Sequence, residues 1–449
     1  MKPQANAIEA ARSAPTQNGT ETNQAGSAPT PWTPAGKELS AHRGLSQPGL
    51  SRRRFFASAG ATAAAFTLLS PGSARGAEAN GKINLGLIGC GGRGRWIADL
   101  FAMHGGYNVT AVFDYFEDRA KEAGEKLGVP ASNRYTGLMG YRRLLEQKGL
   151  DAVAIESPPY FHPEQAAAAV EAGKHVYLAK PIAVDVPGCQ SIAESGRQAA
   201  SRKRCFFVDF QTRAHAAYQE VTRRIHAGEI GRLISLDAGY QCDLYFAAMD
   251  AEYRKNPGRP EARLRAWAVD RVLSGDVITE QNIHALDVAT WFINAEPVKA
   301  YGAGGRARDF LGDCWDHYAV IFYFPNDVLV SFSSKQVGFG YDDIMCRAYG
   351  EKGTVETHYS GKVTLRTRDD AFNGDTRNLY HDGAVTNIAS FHRAILAGDV
   401  SNSTVAPSVR SNLTTILGRL AAYGRREVTW DEMMRAAEKW TFDTTGLKT

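Results

Sequence analysis

Three residues, Glu280, His284 and Asp287, have the types and the spacing for acid–base chemistry. If residues 277–292 form one helix, positions i, i+4 and i+7 share a face of it. His284 suits the removal of an alcohol proton during hydride transfer, because imidazole titrates near neutral pH. Glu280 would orient His284 or bind a second hydroxyl. A satisfied polar stripe on a structural helix has the same pattern, so the interpretation depends on a neighbouring cofactor site.

The same imidazole and carboxylates also have the ligand chemistry of a zinc or manganese site. Such a site needs more ligands, and no third and fourth ligands are identifiable in the sequence. The six cysteines are scattered and form no CxxC pair, which favours buried thiols over a zinc site and leaves a disulfide open. No metal is therefore predicted.

A glycine-rich loop supplies the cofactor site. The apolar run 82–88 has the pattern of a buried strand, and it leads through the loop Gly89–Gly94, GCGGRG, into an amphipathic helix from about residue 95 to residue 104. A second apolar run ends at Asp114, twenty residues beyond the last glycine. A lone GxGxxG is weak evidence, but the strand, the helix and the acidic residue at this distance predict dinucleotide binding.

Individual positions of the loop have physical roles in that prediction. Gly89 permits the tight turn, Gly91 lets the backbone approach the pyrophosphate, and Gly94 lets helix and strand pack closely. Amides at the helix N-terminus then face the phosphate charge. The carboxylate of Asp114 can accept both ribose hydroxyls and would repel a 2′-phosphate, which favours NAD. The nearby Arg119 leaves NADP open.

Alternating strands and helices continue to residue 209 and predict a parallel sheet. Ligands bind at the carboxyl edge of such sheets, so the turn Ser157–His162 and Lys180, which both follow strands, should face the cofactor. Lys180 would lie between the ribose and the reacting oxygen, where it stabilises negative charge and relays the proton. The predicted cofactor-binding residues are Gly89, Gly91, Gly92, Arg93, Gly94, Asp114, Ser157, Pro158, His162 and Lys180.

Four motifs together resemble the glucose–fructose oxidoreductase / inositol dehydrogenase / rhizopine catabolism (Gfo/Idh/MocA) family. They are the Gly89–Gly94 loop, Ser157-Pro158-Pro159 with His162, Gly173–Tyr177 leading to Lys180-Pro181, and Glu280–Asp287. The resemblance covers about residues 82–430. In two places the chain departs from the family pattern, with Ala179 where the family usually has Glu and Glu280 where it usually has Asp. Both departures bear on the positioning of Lys180.

The resemblance implies an α/β protein with a Rossmann domain at residues 81–209 and a C-terminal α/β domain at residues 210–449. Its second sheet should be large and mostly antiparallel, and seven segments between residues 233 and 367 do have strand patterns. Such a sheet often forms an oligomer interface in this family, so a homo-oligomer, dimer or tetramer, is expected. The resemblance also implies catalytic roles for Lys180, Glu280 and His284, and a substrate-binding set of these three residues with Asp287.

One long segment, Cys242–Ser274, carries arginines and aromatic residues that suit sugar binding. It is equally consistent with a lid over the site, an arm between subunits or a surface loop. The sequence alone leaves these three alternatives open.

The first 80 residues have the composition of a disordered leader that ends in an export signal. The segment Ser51–Phe56, SRRRFF, precedes a short apolar stretch at 57–69 and small residues near Ala77. This order is typical of a secretory signal, and the arginine pair resembles a twin-arginine signal. The stretch is too short and too rich in alanine for a membrane span. We therefore expect the twin-arginine machinery to export the protein, to the periplasm or its equivalent.

The net charge of +4 lies entirely in this leader. Residues 1–80 contain eight Lys or Arg and four Asp or Glu, whereas residues 81–449 contain 44 of each sign. A neutral body argues against nucleic acid or an anionic membrane as the main partner. The expected partner is a small carbohydrate.

These observations predict an NAD(P)-dependent oxidoreductase that acts on secondary hydroxyls of a sugar, polyol or glycoside. An exported enzyme has no dependable supply of free NAD, so the cofactor should be tightly bound and regenerated on the protein, for example by oxidising one sugar and reducing another. One alternative is a glycoside hydrolase that oxidises C3 transiently, eliminates the aglycone and reduces the product. A lower-ranked alternative is a non-catalytic sugar-binding protein, against which the presence of Lys180 and His284 argues.

Overall fold

The computed structural model describes residues 81–449 of the chain. Within these residues the strands form a six-stranded parallel sheet and a nine-stranded, mostly antiparallel sheet, which confirms the predicted fold class. The leader and twin-arginine signal predicted for residues 1–80 lie outside the described residues. In the described part of the chain, no helix has both the length and the apolar character needed to cross a membrane.

The first sheet is built from short strands in the N-terminal half. They are β1 (Ile83–Ile88), β2 (Tyr107–Phe113), β3 (Arg134–Tyr135), β4 (Ala152–Ile155), β5 (His175–Ala179) and β6 (Phe206–Asp209). Their order is β3-β2-β1-β4-β5-β6 and every pair is parallel. This is the Rossmann order. Strands β2 and β3 are added on one side of β1 and strands β4 to β6 on the other, and this switch leaves a ligand crevice at the carboxyl ends of β1 and β4. Nearly all of β1 is buried, because helices cover both faces of the sheet.

Helices connect these strands. They are α1 (Gly92–His104), α2 (Glu117–Lys126), α3 (Gly140–Leu145), α4 (His162–Glu171) and α5 (Val186–Ser201), with short 3₁₀ turns at Ala131–Asn133 and Pro159–Phe161. The apolar face of α1 places Ile97 and Phe101 against Leu85 and Leu87 of β1. This packing fixes the start of α1, and therefore the glycine loop, at the carboxyl end of β1.

The second sheet is larger. Its strands are β7 (Leu233–Cys242), β8 (Lys299–Gly305), β9 (His317–Tyr323), β10 (Leu329–Gln336), β11 (Asp343–Gly350), β12 (Gly353–His358), β13 (Lys362–Thr367), β14 (Ala371–Asp375) and β15 (Val428–Thr429). Their order is β14-β13-β12-β11-β7-β10-β9-β8-β15, and only β7 and β10 run parallel among these strands. Alternation along β9 buries Val320 and Phe322 and leaves Ile321 and Tyr323 exposed. One face of the sheet therefore packs on helices, and the other face is open.

The remaining helices surround this sheet and join it to the first. They are α6 (Gln211–Ala214), α7 (Ala216–His226), α8 (Ala247–Tyr253), α9 (Pro260–Arg265), α10 (Arg271–Ser274), α11 (Val277–Glu280), α12 (Ile283–Ile293), α13 (Leu379–Ala397), α14 (Val405–Gly424) and α15 (Trp430–Ala436). Two 3₁₀ turns lie at Trp267–Val269 and Pro325–Asp327.

The long helix α13 was not predicted from the sequence, and it returns to the first half of the molecule. Its residues Ala384, Ile388 and Phe391 are buried in the same apolar cluster as Phe101 and Tyr177. The core of the Rossmann sheet is therefore completed by a helix that comes from beyond residue 378. Residues 210–449 thus contribute to both layers of the fold.

Candidate active site

The loop between β1 and α1 is tightly confined on one side and open on the other. Gly89 has a φ of +98°, and a Cβ there would lie 2.6 Å from the carbonyl carbon of Glu156. A Cβ at Gly94 would lie 1.9 Å from the carbonyl oxygen of Gly89. At Gly91 and Gly92, by contrast, a Cβ would meet no atom within 4 Å. The open side leaves room for a pyrophosphate against the backbone, so the loop fits a dinucleotide.

The first turn of α1 strengthens this fit. Its N-cap residue, Gly91, has no side chain that could accept a hydrogen bond from the first amides of the helix. These amides carry the positive end of the helix dipole and favour an anionic ligand. The geometry agrees with the phosphate contact predicted from the motif.

Asp114 lies at the end of β2, beside the loop. Its Oδ2 accepts a hydrogen bond from the Cys90 amide at 2.8 Å, and its Oδ1 accepts one from the Phe116 amide at 2.9 Å. Burial raises the pKa of this carboxyl, against the opposing effects of the two amides and Arg119. Each oxygen has a second lone pair. The carboxylate can therefore brace the loop and still accept a ribose hydroxyl.

A pocket extends from Gly91 and Asp114 along the carboxyl edge of the first sheet, bordered by Ser157 and Pro158 as predicted. Its apolar wall includes Phe116, Leu138, Phe161, Leu264 and Trp267. We call it the cofactor pocket, because a pocket beside the acidic residue after β2 is where the adenosine half of a dinucleotide binds in this architecture. Leu264 and Trp267 come from the segment Cys242–Ser274, so the C-terminal half also contributes to it.

His162 does not have its predicted position against the cofactor. The ring is 1% exposed, with Nδ1 2.8 Å from the Pro181 carbonyl oxygen and Nε2 2.7 Å from the Ser157 carbonyl oxygen. Burial lowers its pKa to about 4. The neutral ring has one N–H and donates it to one of these two carbonyls, and His162 lies between the turn after β4 and the turn after β5. It positions Ser157 and Lys180 and does not border the cofactor pocket.

Arg93 also differs from the prediction, since its side chain turns into a buried charge cluster. Its Nε lies 3.0 Å from Glu156 Oε2, and its guanidinium also pairs with Asp209; both carboxylates are fully buried. A third contact is the hydrogen bond to Tyr380 Oη at 2.9 Å. Arg93 therefore links the glycine loop to the ends of β4 and β6 and to α13. Its guanidinium is therefore held by protein partners, although the side chain is 24% exposed and lines the pocket that begins at the glycine loop.

Lys180, Glu280 and His284 meet in a second pocket that begins at the glycine loop, and we call it the reaction pocket. Lys180 Nζ donates to the Glu280 carbonyl oxygen at 2.7 Å and lies 3.7 Å from Glu280 Oε1. Burial, and then the positive charges of Lys180 and Arg93, lower the pKa of His284 well below its usual range. Burial also lowers the pKa of Lys180, although the Glu280 carboxylate opposes it. The structure thus brings together the three residues predicted to be catalytic.

A break in the predicted helix 277–292 produces this arrangement. The chain leaves the helix at Gln281, which separates α11 from α12, and the His284 amide bonds to the Gln281 carbonyl oxygen. In a continuous helix that amide would have bonded to the carbonyl oxygen of Glu280. The break frees the Glu280 carbonyl, which accepts the hydrogen bond from Lys180. Glu280 and His284 therefore do not share a straight helix face.

Asp287 lies outside the reaction pocket, contrary to its place in the predicted substrate-binding set. Its carboxylate is fully buried and accepts a bifurcated hydrogen bond from Arg213 Nε, at 3.0 and 3.1 Å, and another from Nη2 at 2.8 Å. Ser411 Oγ donates a further bond at 2.6 Å. The carboxylate is occupied by protein donors, so it anchors α12 and the position of His284.

Several buried polar atoms of the reaction pocket have no hydrogen-bond partner among the described residues. They include His284 Nδ1, Glu280 Oε2 and Gln281 Oε1. Leaving such atoms unpaired costs about 1–3 kcal/mol each, so they are suited to a ligand that donates and accepts hydrogen bonds. Within residues 81–449, no group of three His, Cys, Asp or Glu side chains is arranged to hold a metal ion.

Aromatic residues form the outer wall of the reaction pocket. Tyr245 and Trp267 are among them, and both belong to the segment Cys242–Ser274, whose aromatic residues suit sugar binding. Trp96, Tyr359 and Tyr380 were not predicted, and Trp96 stacks on Tyr380 with ring centroids 4.7 Å apart. No local motif marks these three residues, since they come from α1, the end of β12 and the start of α13. Only the tertiary fold brings them together.

Two family models match consecutive parts of the chain. Residues 83–210 match an oxidoreductase family with an NAD-binding Rossmann fold, and residues 218–356 match the Gfo/Idh/MocA C-terminal domain. The chain belongs to the Gfo/Idh/MocA family. It is therefore an oxidoreductase with an NAD-binding domain, as the open glycine loop and Asp114 independently indicate.

The chain is also similar in sequence to individual proteins. Inositol 2-dehydrogenase 2 of Saccharopolyspora erythraea is 28% identical over 333 residues, which cover 72% of this chain and 88% of that protein. A glycosyl hydrolase family 109 protein of Streptomyces niveus is 30% identical over 190 residues, which cover 40% of this chain and 37% of that protein.

Solved structures with the same fold include two enzymes. The aldose–aldose oxidoreductase of Caulobacter crescentus has a TM-score of 0.61 at 20% identity, over 78% of this chain and 99% of that chain. The scyllo-inositol dehydrogenase of Lactobacillus casei with NAD(H) and scyllo-inositol has a TM-score of 0.61 at 19% identity, over 78% and 99%. These likenesses establish the two-domain fold.

Proposed function

We propose that this oxidoreductase acts on a secondary hydroxyl of a sugar, polyol or glycoside. The observation that carries the proposal is the meeting of Lys180, Glu280 and His284 in a pocket that begins at the NAD-binding loop. Its unpaired polar atoms and aromatic wall suit a ring that carries several hydroxyls. The inositol dehydrogenase names of similar family members support the same substrate class.

The chain's own residues provide the proton chemistry. Bound NAD supplies the hydride acceptor. Burial and the charges of Lys180 and Arg93 favour the unprotonated form of His284, whose unpartnered Nδ1 is the atom placed to accept the hydroxyl proton. Lys180, held by the Glu280 carbonyl, places a positive charge beside the reacting oxygen and stabilises the negative charge that develops there. Glu280 Oε2, which lacks a protein partner, is placed to accept a bond from a neighbouring hydroxyl.

The test is formation of NADH by the purified full chain with a panel of inositols, linear polyols and sugars. We expect at least one cyclic polyol or sugar to reduce NAD, and Lys180→Met to abolish the reaction while NAD still binds. Failure of every substrate with a chain that binds NAD would count against net oxidation and favour the second candidate.

A second candidate is a glycoside hydrolase that oxidises and re-reduces its substrate, and the partial similarity to the glycosyl hydrolase family 109 protein favours it. Oxidation at C3 would acidify the C2 proton, and elimination would release the aglycone and leave a C1–C2 double bond. Water would then add at C1 with a proton returning to C2, and reduction of the C3 ketone would return the hydride. The net reaction consumes water and leaves NAD unchanged. Release of a chromogenic aglycone without NADH accumulation would identify it.

Export and tight cofactor retention complete the proposal. The segment Ser51–Phe56 followed by an apolar stretch supports export by the twin-arginine route, which carries folded proteins. A cofactor carried through that route has to remain bound, so we expect NAD to co-purify with the protein. The export signal can be tested with a reporter fused to residues 1–80. We expect the reporter to be exported, and we expect the Arg52→Lys/Arg53→Lys/Arg54→Lys substitution to abolish its export. Mass spectrometry of the denatured protein tests the retention.

The open face of the second sheet supports a homo-oligomer. Tyr301, Ile321, Tyr323 and Leu329 lie on it, and each is between 36 and 52% exposed. Tyr301 pairs with Ile321, and Tyr323 pairs with Leu329, so the four form neighbouring rows. Light scattering should show a dimer or tetramer that dissociates on Ile321→Asp substitution.

A further inference from the structure

One segment from outside the Rossmann sheet, residues 259–270, contributes to the wall of the cofactor pocket, and a second, residues 438–449, contacts residues of that wall. We infer that together they form a cover that controls how long the dinucleotide stays bound. The inference rests on the proposed NAD-dependent function, but it concerns the release of the cofactor and not the chemistry. It assigns a role to part of the long segment Cys242–Ser274 that the sequence left open.

The first segment contributes wall residues to the pocket itself. Leu264 is 4% exposed and borders the pocket together with Trp267. Arg265 pairs with Asp118 Oδ1 at 2.8 Å and stacks over the Phe116 ring at 4.0 Å. Phe116 and Asp118 both follow β2, near the predicted ribose position. The segment is therefore attached directly to the part of the Rossmann domain that holds the adenosine half.

The second segment crosses the same edge of the sheet. The Leu138 amide, after β3, donates to the Lys448 carbonyl oxygen at 2.8 Å. The Lys448 amide in turn donates to Tyr115 Oη, after β2, at 3.0 Å. Farther along, the Phe442 amide donates to Tyr160 Oη at 3.1 Å. Residues 438–449 thus span the turns after β2, β3 and β4, and all three turns border the cofactor pocket.

A separate apolar cluster joins the two segments to the pocket wall. Leu264, Phe442 and Leu447 are buried in it together with Phe116. Arg263 also lies over the Phe442 ring at 4.8 Å. Because Phe116 and Leu264 belong both to this cluster and to the pocket wall, loosening the cluster opens the pocket. Small satellite clusters open locally more readily than a main core, and residence time depends on such opening.

The decisive measurement is the dissociation rate of NADH from the full chain, followed by its fluorescence after mixing with excess NAD. Phe442→Ala removes the ring that joins the two segments, and we expect NADH to leave about tenfold faster or more. The matched control is Phe339→Ala, because Phe339 is 100% exposed and makes no part of the cover. Its dissociation rate should stay within about twofold of the unmodified chain.

Two further measurements decide the matter if Phe442→Ala does not fold. Arg265→Gln removes a surface contact of the cover and should speed dissociation by a smaller factor. In the unmodified chain, NAD should slow amide hydrogen exchange in residues 259–270 and 438–449. Unchanged rates in the variants together with unchanged exchange would overturn the cover. A chain that binds no NAD at all would overturn the proposed function as well.

Discussion

The cofactor pocket and the reaction pocket meet at the glycine loop, yet their polar groups are arranged in opposite ways. In the cofactor pocket, Asp114 is already paired with two backbone amides and Ser157 with Gln165. In the reaction pocket, His284 Nδ1 and Glu280 Oε2 have no hydrogen-bond partner within residues 81–449. Paired groups hold a fixed shape for one ligand, whereas unpaired buried groups favour a ligand that supplies hydrogen bonds. The difference separates recognition of a constant cofactor from recognition of a hydroxyl-rich substrate.

The sharpest break in this comparison should come from His284→Ala, which alters only the reaction pocket. Loss of the proton acceptor should reduce turnover by about 10²–10⁴-fold. The dissociation constant for NADH should change little, because His284 contributes nothing to the cofactor pocket. Steady-state kinetics and fluorescence titration measure the two quantities. His381→Ala, at an exposed histidine, is the control, and parallel loss of NADH binding in H284A would refute the separation.

Two alanine substitutions in the glycine loop test the cofactor pocket in the same way. In Gly94→Ala the new Cβ would lie 1.9 Å from a backbone oxygen, so the free energy of unfolding should fall by about 2–3 kcal/mol. Gly91→Ala meets no protein atom, and its thermal midpoint should remain unchanged while NAD binding weakens about tenfold. Calorimetry and titration distinguish the two. Equal loss of stability in both variants would show that the open side of the loop is not a ligand site.

Asp287→Asn tests whether the reaction pocket depends on the buried pair of Asp287 and Arg213, which anchors α12. Removing one charge of the buried pair with Arg213 should destabilise the fold by about 3 kcal/mol. Turnover should fall less than in H284A, because Asp287 acts by holding α12. The double variant Arg213→Met/Asp287→Leu should recover part of the lost stability, measured by urea unfolding. No recovery in the double variant would mean that Asp287 has a role apart from the pair.

The smallest expected effect is the contribution of His162, which lies between the turns after β4 and β5, to the pH dependence of stability. The pKa of His162 is about 4 in the fold and lies below the ordinary value near 6.5 of the unfolded chain. The unfolded chain therefore takes up the proton first, and stability is full above pH 6.5 and declines as the pH falls toward 4. The slope should be at most about 1 kcal/mol per pH unit. Urea unfolding between pH 7 and pH 4.5 should show a shallower slope in His162→Gln than in the unmodified chain.

The cofactor pocket was largely predictable from the sequence, because its roles follow from short spacings. Gly89, Gly91, Gly94 and Asp114 lie within one strand–helix–strand unit, and their geometry matches the expectation. His162 was misplaced for a physical reason. A histidine that follows a strand end by a few residues can point into the ligand crevice or into the protein interior. His162 points inward because it contacts the Pro181 carbonyl, and the tertiary fold determines that contact.

The catalytic residues of the reaction pocket were predictable from the sequence, whereas the helix break that positions them and part of the aromatic wall were not. Lys180, Glu280 and His284 do meet, but the break at Gln281 could not be read from a pattern with helical spacing. Tyr359 and Tyr380 line the pocket from segments remote in sequence, so no motif indicated them. The export signal stays a prediction, because residues 1–80 lie outside the described residues.

The return of α13 to the first sheet has a consequence for how the protein is made. Until α13 emerges from the ribosome, the apolar face that includes Phe101 and Tyr177 lacks its covering residues Ile388 and Phe391. About 190 residues separate the end of β6 from the end of α13, so at ordinary rates of synthesis the nascent sheet waits roughly 10–40 s for its last layer. During that interval the ribosome-bound chain exposes an apolar surface of the kind that makes partly folded chains prone to aggregation. We therefore expect the speed of translation between β6 and α13 to influence how much of the protein reaches its native state.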